Sequence, residues 1–240
     1  MSVESMDPYG LALWDAFMGE QREPLIIVRD DGYTSELPLD AFIGNPLEHP
    51  IDRLALDLCR GRVLDAGAGA GRHALVLQAR GLSVCALDIS PHAVEVMRRR
   101  GVSDVRCGDL FLFNEGPFDT ILMLMHNIGM VETIAGLDHF LTHATHLLAP
   151  GGQVILDSLD VYNTNNPMHL AYLEANRAAG RYAGEIRIQF VYRNEVGPLC
   201  GWLHVDYDTL AHHAQDAGLS YELVHQEENG DYLARLERKR

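Results

Sequence analysis

Val63-Leu64-Asp65-Ala66-Gly67-Ala68-Gly69-Ala70-Gly71-Arg72-His73-Ala74 reads as a short buried strand, a glycine turn and the first turn of a helix. Glycines at alternate positions remove the Cβ atoms that would hold a ligand off the backbone, and they admit turns that other residues resist. The segment is a nucleotide-binding turn. Its pattern is twofold: Gly69, Gly71 and Ala74 fit the dinucleotide fingerprint G-x-G-x-x-G/A, whereas Asp65, Gly67, Gly69 and Gly71 fit an acid-x-G-x-G-x-G loop.

Working outward, Ser83-Val84-Cys85-Ala86-Leu87-Asp88 is a second apolar run that ends in a carboxylate, after a helix that closes at Gly81. Asp88 thus stands at the carboxyl end of the neighbouring strand, where an acid accepts hydrogen bonds from ribose hydroxyls. Val105-Arg106-Cys107-Gly108-Asp109-Leu110 supplies a third acid at a strand end, and Ala149-Pro150-Gly151-Gly152 precedes a further strand. The patterning predicts strand 63–67, helix 72–80, strand 83–88, helix 91–100, strands 104–107 and 118–125, helix 134–148 and strand 153–158. Ser90 caps the helix that Pro91 opens. Strands alternating with helices imply a parallel sheet covered on both faces, with ligands beyond the carboxyl ends of the strands.

These motifs, in this order and at these spacings, resemble the class I S-adenosylmethionine-dependent methyltransferases over roughly residues 50–160 and more weakly toward the C-terminus. The resemblance implies that S-adenosylmethionine is the cofactor and that the first loop, Asp65, Ala66, Gly67, Gly69, Gly71 and Arg72, binds it, with Asp65 near the methionine moiety. By the same resemblance Asp88 and Ile89 take the ribose end, Gly108, Asp109 and Leu110 the adenine, and Met125 the region of the methyl group. It implies an α/β, Rossmann-like fold: a mostly parallel seven-stranded sheet with an antiparallel C-terminal hairpin, 220–227 and 231–237 around Asn229-Gly230-Asp231, and a small inserted α+β cap. The chain divides as one methyltransferase domain over 1–240, with an N-terminal cap (1–50), a cofactor-binding core (51–160), an insertion or lid (161–205) and a C-terminal helix and hairpin (206–240).

The flanking segments are read as covers. Residues 7–19 form a helix with apolar residues on more than one face, and Trp14 is expected at the substrate. Leu25-Ile26-Ile27-Val28 and Tyr33-Thr34-Ser35-Glu36-Leu37 flank a hairpin turn. In the insertion, residues 168–179 are helical, 185–192 alternate like a half-exposed strand, and 202–207 look like its partner. Because it leaves the fifth strand at the ligand edge and carries Tyr162, Tyr172 and Tyr182, the insertion is expected to cover the acceptor, with Tyr162 among the substrate residues.

Composition narrows the partners. A formal charge of −15 repels phosphate backbones, and Arg98-Arg99-Arg100 closes a helix, where cations complement the dipole, so no nucleic acid is expected. There is no run of 18 apolar residues. No secretory leader is read in residues 1–6, and a cytoplasmic protein with no membrane partner is expected. Cys59, Cys85, Cys107 and Cys200 form no CxxC pair and read as reduced packing residues. His139, His143 and His146 lie opposite the apolar stripe of helix 134–148, so they are read as a solvated face and no metal is expected.

The apolar run Ile121–Met125 delivers His126 and Asn127 to the carboxyl edge, where both are candidate catalytic residues. Histidine, titrating near neutrality, suits a base. The sequence departs here from the Asn/Asp-Pro-Pro-Tyr pattern of enzymes that methylate exocyclic amines of adenine or the glutamine amide, which disfavours those substrates. The reading is methyl transfer to an oxygen or nitrogen of a small-molecule acceptor. Two alternatives stay open: a dinucleotide-dependent oxidoreductase, against which the third acid and the final hairpin argue, and a non-catalytic binder of S-adenosylmethionine, which would lack an open substrate pocket.

Overall fold

A computed structural model describes residues 1–21 and 23–239. The chain opens with helix α1 (Val3–Met18), a hairpin of β1 (Leu25–Arg29) and β2 (Thr34–Leu37), the short α2 (Asp40–Ile43) and α3 (Pro50–Leu58). The alternating core follows as β3 (Arg62–Ala66), α4 (Arg72–Ala79), β4 (Ser83–Asp88), α5 (Pro91–Arg100), β5 (Val105–Cys107), β6 (Phe118–Met123), α6 (Ile134–Leu147) and β7 (Leu148–Leu159). After it come α7 (Pro167–Ala178), β8 (Glu185–Tyr192), β9 (Glu195–Val196), β10 (Cys200–Leu203), α8 (Tyr207–Asp216), β11 (Leu219–Gln226) and β12 (Asp231–Arg238). Ser90 caps α5 by accepting from the Ala93 amide, with Pro91 in the first turn, as the sequence indicates.

Seven strands form the main sheet in the order β11-β12-β7-β6-β3-β4-β5. The pairs among β7, β6, β3, β4 and β5 are parallel, and β12 joins β7 antiparallel with β11 beyond it. This is the expected Rossmann-like methyltransferase sheet. Its core strands are apolar on both faces: Leu64, Ile121 and Leu156 pack toward α6 and α8, and Val63, Leu122 and Ile155 toward α3 and α4, all fully buried. Strand β7 begins at Leu148 rather than 153, because Leu148 pairs with Phe118 and a register shift absorbs the glycine pair inside the strand.

The covers differ from the expectation of a separate N-terminal cap and insertion. Strands from both segments make a second, antiparallel sheet in the order β10-β8-β1-β2, with β9 on β8. Ile27 pairs with Phe190 and Arg29 with Ile188 across β1 and β8, and Trp202 pairs with Ile186 across β10 and β8. The physical reason is that a lone two-stranded hairpin is marginal in water and leaves an unpaired edge, so the β1–β2 hairpin gains ladder bonds by joining β8. Helix α1 fills the space between this sheet and α5, burying Ala12 and Leu13 completely in a cluster with Ala93, Val96 and Phe190. Its Asp15 accepts from the Tyr192 hydroxyl at 3.0 Å, tying the helix to β8.

Candidate functional site

Between the carboxyl edge of the main sheet and the inner face of the cap sheet lies a cavity of about 590 Å³. That volume is in the range of small-molecule sites. Alternate residues of the cap strands face it: Ile27 and Arg29 of β1, Ile186, Ile188 and Phe190 of β8, and Trp202 of β10. The opposite wall carries Gly67, Asp88, Ile89, Asp109, Met125 and His126.

The glycine turn is held by its own main chain. Gly67, Gly69 and Gly71 have φ of 74°, 55° and 74°, the left-handed region that glycine enters without a steric cost. The amides of Gly67 and Ala68 donate to the Leu87 carbonyl and that of Gly71 to Ala68. The Gly69 amide donates to Asp88 Oδ2 at 2.8 Å. The loop therefore spends these four amides on the protein, whereas a pyrophosphate-binding turn aims its amides at the ligand. A Cβ at Gly67 would fall 2.6 Å from Met130 Cε and 2.8 Å from Asn127 Nδ2, so the side of the turn that faces the cavity admits no side chain.

The acids stand where the strands end. Asp88 is buried and also accepts from the Ser90 amide at 2.8 Å. Burial raises its pKa against the lowering effect of these backbone bonds. A carboxylate has about four lone-pair positions, and what Asp88 has left can take a ribose hydroxyl. Asp65 is 2% exposed. Burial pushes its pKa up to about 6, against the charge of His73 and a hydrogen bond from the Ala74 amide in the first turn of α4. Its Oδ2 has no partner. An unsatisfied buried carboxylate oxygen beside a glycine turn fits a group that brings a cation, as the methionine ammonium of S-adenosylmethionine does. Asp109 accepts from the Phe111 amide at 2.9 Å through one oxygen, and with Gly108 and Leu110 it borders the cavity. The residues present fit the cofactor.

Seven assigned residues do not border this cavity, among them Asp65, buried in β3, and Gly69, which borders a small recess beside it. Arg72, 3% exposed, turns beneath the loop to pair with Asp52 and the Ala41 carbonyl. It borders a small recess behind the turn and not the main cavity. A buried guanidinium needs a counter-charge, and Asp52 supplies it. Trp14 is not at the substrate: it packs against Phe17 with Arg99 over its ring. Tyr162 is 46% exposed under Arg177 and is likewise absent from the cavity wall. Ala66 and Gly71 support the turn from outside the cavity, Ala66 being buried in the strand.

Met125 and His126 are both left-handed, with φ of 63° and 59°. Such non-glycine conformations cost on the order of 1–3 kcal/mol each and persist where the surroundings enforce them. Here the buried Asp157 accepts from both amides, at 3.1 and 2.8 Å. The turn aims the His126 side chain along the cavity wall, with Nε2 3.2 Å from Asp231 Oδ1. Burial opposes its protonation, but the hydrogen bond to Asp231 and the charges of Asp157 and Asp231 together raise its pKa. Asn127 donates from Nδ2 to the Gly67 carbonyl at 2.7 Å, so it holds the glycine turn. Beyond it, Gly129 lies so close under the Trp202 indole that a Cβ would be 2.0 Å from Nε1, which seats the cap on the core.

Asp157, Asp231, His204 and Trp202 are functional candidates that sequence reasoning did not single out. Asp157 stands near the carboxyl end of a core strand, the same signal that identified Asp88. Alternation along 202–207 puts Trp202 and His204 on one face, but nothing in it tells which face is inward. Asp231 follows an ordinary Asn-Gly turn and carries no signal. The histidines of α6 are partly engaged: His143 bonds to the Phe113 carbonyl at 2.9 Å and His139 stacks on Phe111 at 5.0 Å, while His146 is exposed.

Comparison with known proteins agrees with this geometry. A family model described as a methyltransferase domain matches residues 39–224. A solved structure of an S-adenosylmethionine-dependent methyltransferase from Bacteroides fragilis, in complex with S-adenosyl-L-homocysteine, is 33% identical. It superposes with a TM-score of 0.86, over 100% of this chain and 98% of that one. A ubiquinone biosynthesis O-methyltransferase from Xylella fastidiosa (strain 9a5c) is 28% identical over 138 residues, 54% of each chain. A demethylmenaquinone methyltransferase from Clavibacter sepedonicus is 33% identical over 101 residues, about 40% of each. The chain spans about half the length, or less, of these curated relatives.

Proposed function

From the premise that this chain belongs to the class I S-adenosylmethionine-dependent methyltransferases, we propose that it transfers a methyl group to a hydroxyl oxygen of a small, largely apolar acceptor bound under the cap sheet. The observation that carries the oxygen is the His126–Asp231 pair at a cavity whose roof is mostly aliphatic and aromatic, with Arg29 and His204 as polar groups within it. The relatives named as ubiquinone biosynthesis O-methyltransferases point to the same chemistry. The spent loop amides weigh against a dinucleotide, and the volume left beneath the cap weighs against a protein that binds the cofactor without an acceptor.

The bound cofactor supplies an activated methyl on a sulfonium, so the protein need only orient the acceptor, exclude water and take its proton. Asp231 accepts from Nε2–H of His126 and so fixes the tautomer with the lone pair on Nδ1, the nitrogen left to meet the acceptor. His126 Nδ1 then removes the hydroxyl proton before the oxygen attacks, and Asp231 stabilises the imidazolium that results. Asn127 is a positioning residue that holds the turn under the cofactor. The cap excludes water with Ile27, Ile186, Ile188 and Phe190.

The test incubates the protein with S-adenosylmethionine carrying a labelled methyl and a panel of hydroxylated and aminated small molecules, with mass spectrometry of the products. Label on a hydroxyl oxygen is expected. Label confined to amines would overturn the choice of oxygen, and failure of S-adenosylhomocysteine to bind in calorimetry would overturn the cofactor reading.

A further inference from the structure

We propose that His204 is a second acceptor-binding group, a neutral imidazole whose Nε2–H donates to the acceptor oxygen while His126 removes its proton, so that the two histidines together select a hydroxyl that ionises as it is bound. The inference rests on the hydroxyl reading above and adds to it a residue from the cap side of the cavity.

His204 follows β10, where its amide donates to the Gly184 carbonyl and continues the pairing with the start of β8. Its ring meets that of His126 edge to face, with centroids 5.6 Å apart, and both rings border the cavity. Nδ1 of His204 is buried with no partner. A bare lone pair in such a place costs less than an orphaned N–H, since buried donors without partners are the rarer case. The tautomer is therefore Nε2–H, and Nε2 is the nitrogen left to face the cavity.

The surroundings keep the ring neutral. Burial, with the adjacent His126, drives the His204 pKa down to about 3, and the more distant charge of Asp231 does not offset this. The titratable groups of this corner are His126 from the turn after β6, Asp157 from β7 and Asp231 from β12, and both acids serve His126 directly. His126 is thus biased toward the imidazolium and His204 away from it. Two neighbouring groups pushed in opposite directions divide proton acceptance from hydrogen-bond donation.

The step balances within these residues. The acceptor O–H bond breaks and its proton goes to His126 Nδ1. The oxygen forms its bond to the methyl carbon, and the carbon–sulfur bond breaks with its electron pair kept by sulfur. His204 neither gains nor loses a proton. Its N–H stabilises the oxyanion left when the proton departs, which raises the fraction of bound acceptor that is ionised and able to attack. An amine nucleophile has no such charge to offer, so the same donor weakens it and the site discriminates by element.

The probe is 4-nitrocatechol, a hydroxylated ring whose visible absorbance reports its own ionisation, added to the full chain saturated with S-adenosylhomocysteine. The wild-type protein is expected to hold the probe in its ionised form at a pH where the free probe is largely protonated. His204→Phe keeps the ring shape without the donor and is expected to lower the bound ionised fraction by about tenfold or more, as loss of a hydrogen bond to a charged oxygen does. His204→Gln places an amide N–H near Nε2 and is expected to restore most of it. If His204→Phe holds the probe ionised as well as wild type does, the inference fails, and the base reading survives provided His126→Gln abolishes the effect. If wild type does not bind the probe ionised, the inference and the hydroxyl reading fail together, while calorimetry with S-adenosylhomocysteine tests the cofactor separately. Nitrogen NMR of the imidazoles gives an answer that needs no acceptor: His204 is expected as the Nε2–H tautomer, untitrated where histidine ordinarily titrates. A titrating ring, or the Nδ1–H tautomer, overturns the inference whatever the probe shows.

Discussion

The two walls of the cavity are built by opposite means. The cofactor wall is made of backbone: β3, the glycine turn, α4 and β4 are consecutive in the chain, their amides bond to one another, and Asp88 joins the turn to the next strand. The acceptor wall is made of side chains from segments far apart, β1 and β2 near the N-terminus and β8 and β10 some 150 residues later, held by ladder bonds and by the α1 core. A backbone site of this kind fixes what it binds almost irrespective of the residues around it. A side-chain site on a separate sheet changes its ligand by changing a few inward positions, so in the proposed reading acceptor specificity is expected to reside on this wall.

The sharpest break in the comparison comes at their junction. His126→Gln is expected to lower turnover by about a hundredfold or more while S-adenosylhomocysteine affinity and melting temperature stay near wild type, because general base catalysis contributes about that much. Equal losses of turnover and cofactor affinity would show that His126 belongs to the cofactor wall instead. Next, Asp88→Ala removes a carboxylate that accepts from the Gly69 amide and, in the proposed reading, from the ribose hydroxyls. A charge-assisted bond is worth roughly 1.5–3 kcal/mol, so calorimetry should read cofactor binding weaker by about ten- to a hundredfold.

The rate is also expected to depend on pH in a direction set by the acceptor wall. A base at His126, as proposed, acts in its neutral form, and its pKa is raised above the ordinary histidine value of 6.5, so turnover is expected to rise with pH through a limb displaced to higher pH. Asp231→Asn removes the charge that favours the imidazolium, and the limb should move to lower pH. A limb that stays in place would mean that another group titrates. Ile186→Ala, on the cap face, should raise the KM for the acceptor a few-fold and leave that for the cofactor unchanged, since the side chain offers the cavity apolar surface worth about 0.8 kcal/mol per methylene. Smallest of all, replacing His139, His143 and His146 together is expected to cost about 1–2 kcal/mol in thermal unfolding, from the Phe113 carbonyl bond, the His139–Phe111 stack and the exposed His146 bond to the Thr142 carbonyl, and to leave turnover nearly intact.

The sequence was sufficient for the cofactor wall because its signals are local. Glycines that must adopt positive φ, acids at the ends of apolar runs and a proline opening a helix after its serine cap are each read within a few residues, and the strand 83–88 and the helix 91–100 appear with the expected bounds. Asp88 and Asp109 border the cavity, while Asp65 lies buried in the strand behind the turn. The local reading did not extend to Arg72, because a charged residue in a glycine loop reads the same whether it faces a ligand or a buried Asp52. Trp14 and Tyr162 failed for a related reason: an aromatic residue on a cover segment says that it packs, not on what.

What tertiary structure alone decided is the acceptor wall. Which hairpin edge pairs with β8, and hence that β1–β2 and the insertion share one sheet, depends on long-range ladder bonds that no local pattern encodes. Once that sheet is formed, its register turns Ile27, Phe190 and Trp202 inward and brings His204 against His126, while β12 sets Asp231 behind Nε2. His204 and Asp231, about 80 and 105 positions beyond His126, thereby join it in one cluster of titratable groups. Their identities are written in the chain, but their proximity follows from packing two sheets edge to face, and that is a property of the folded molecule.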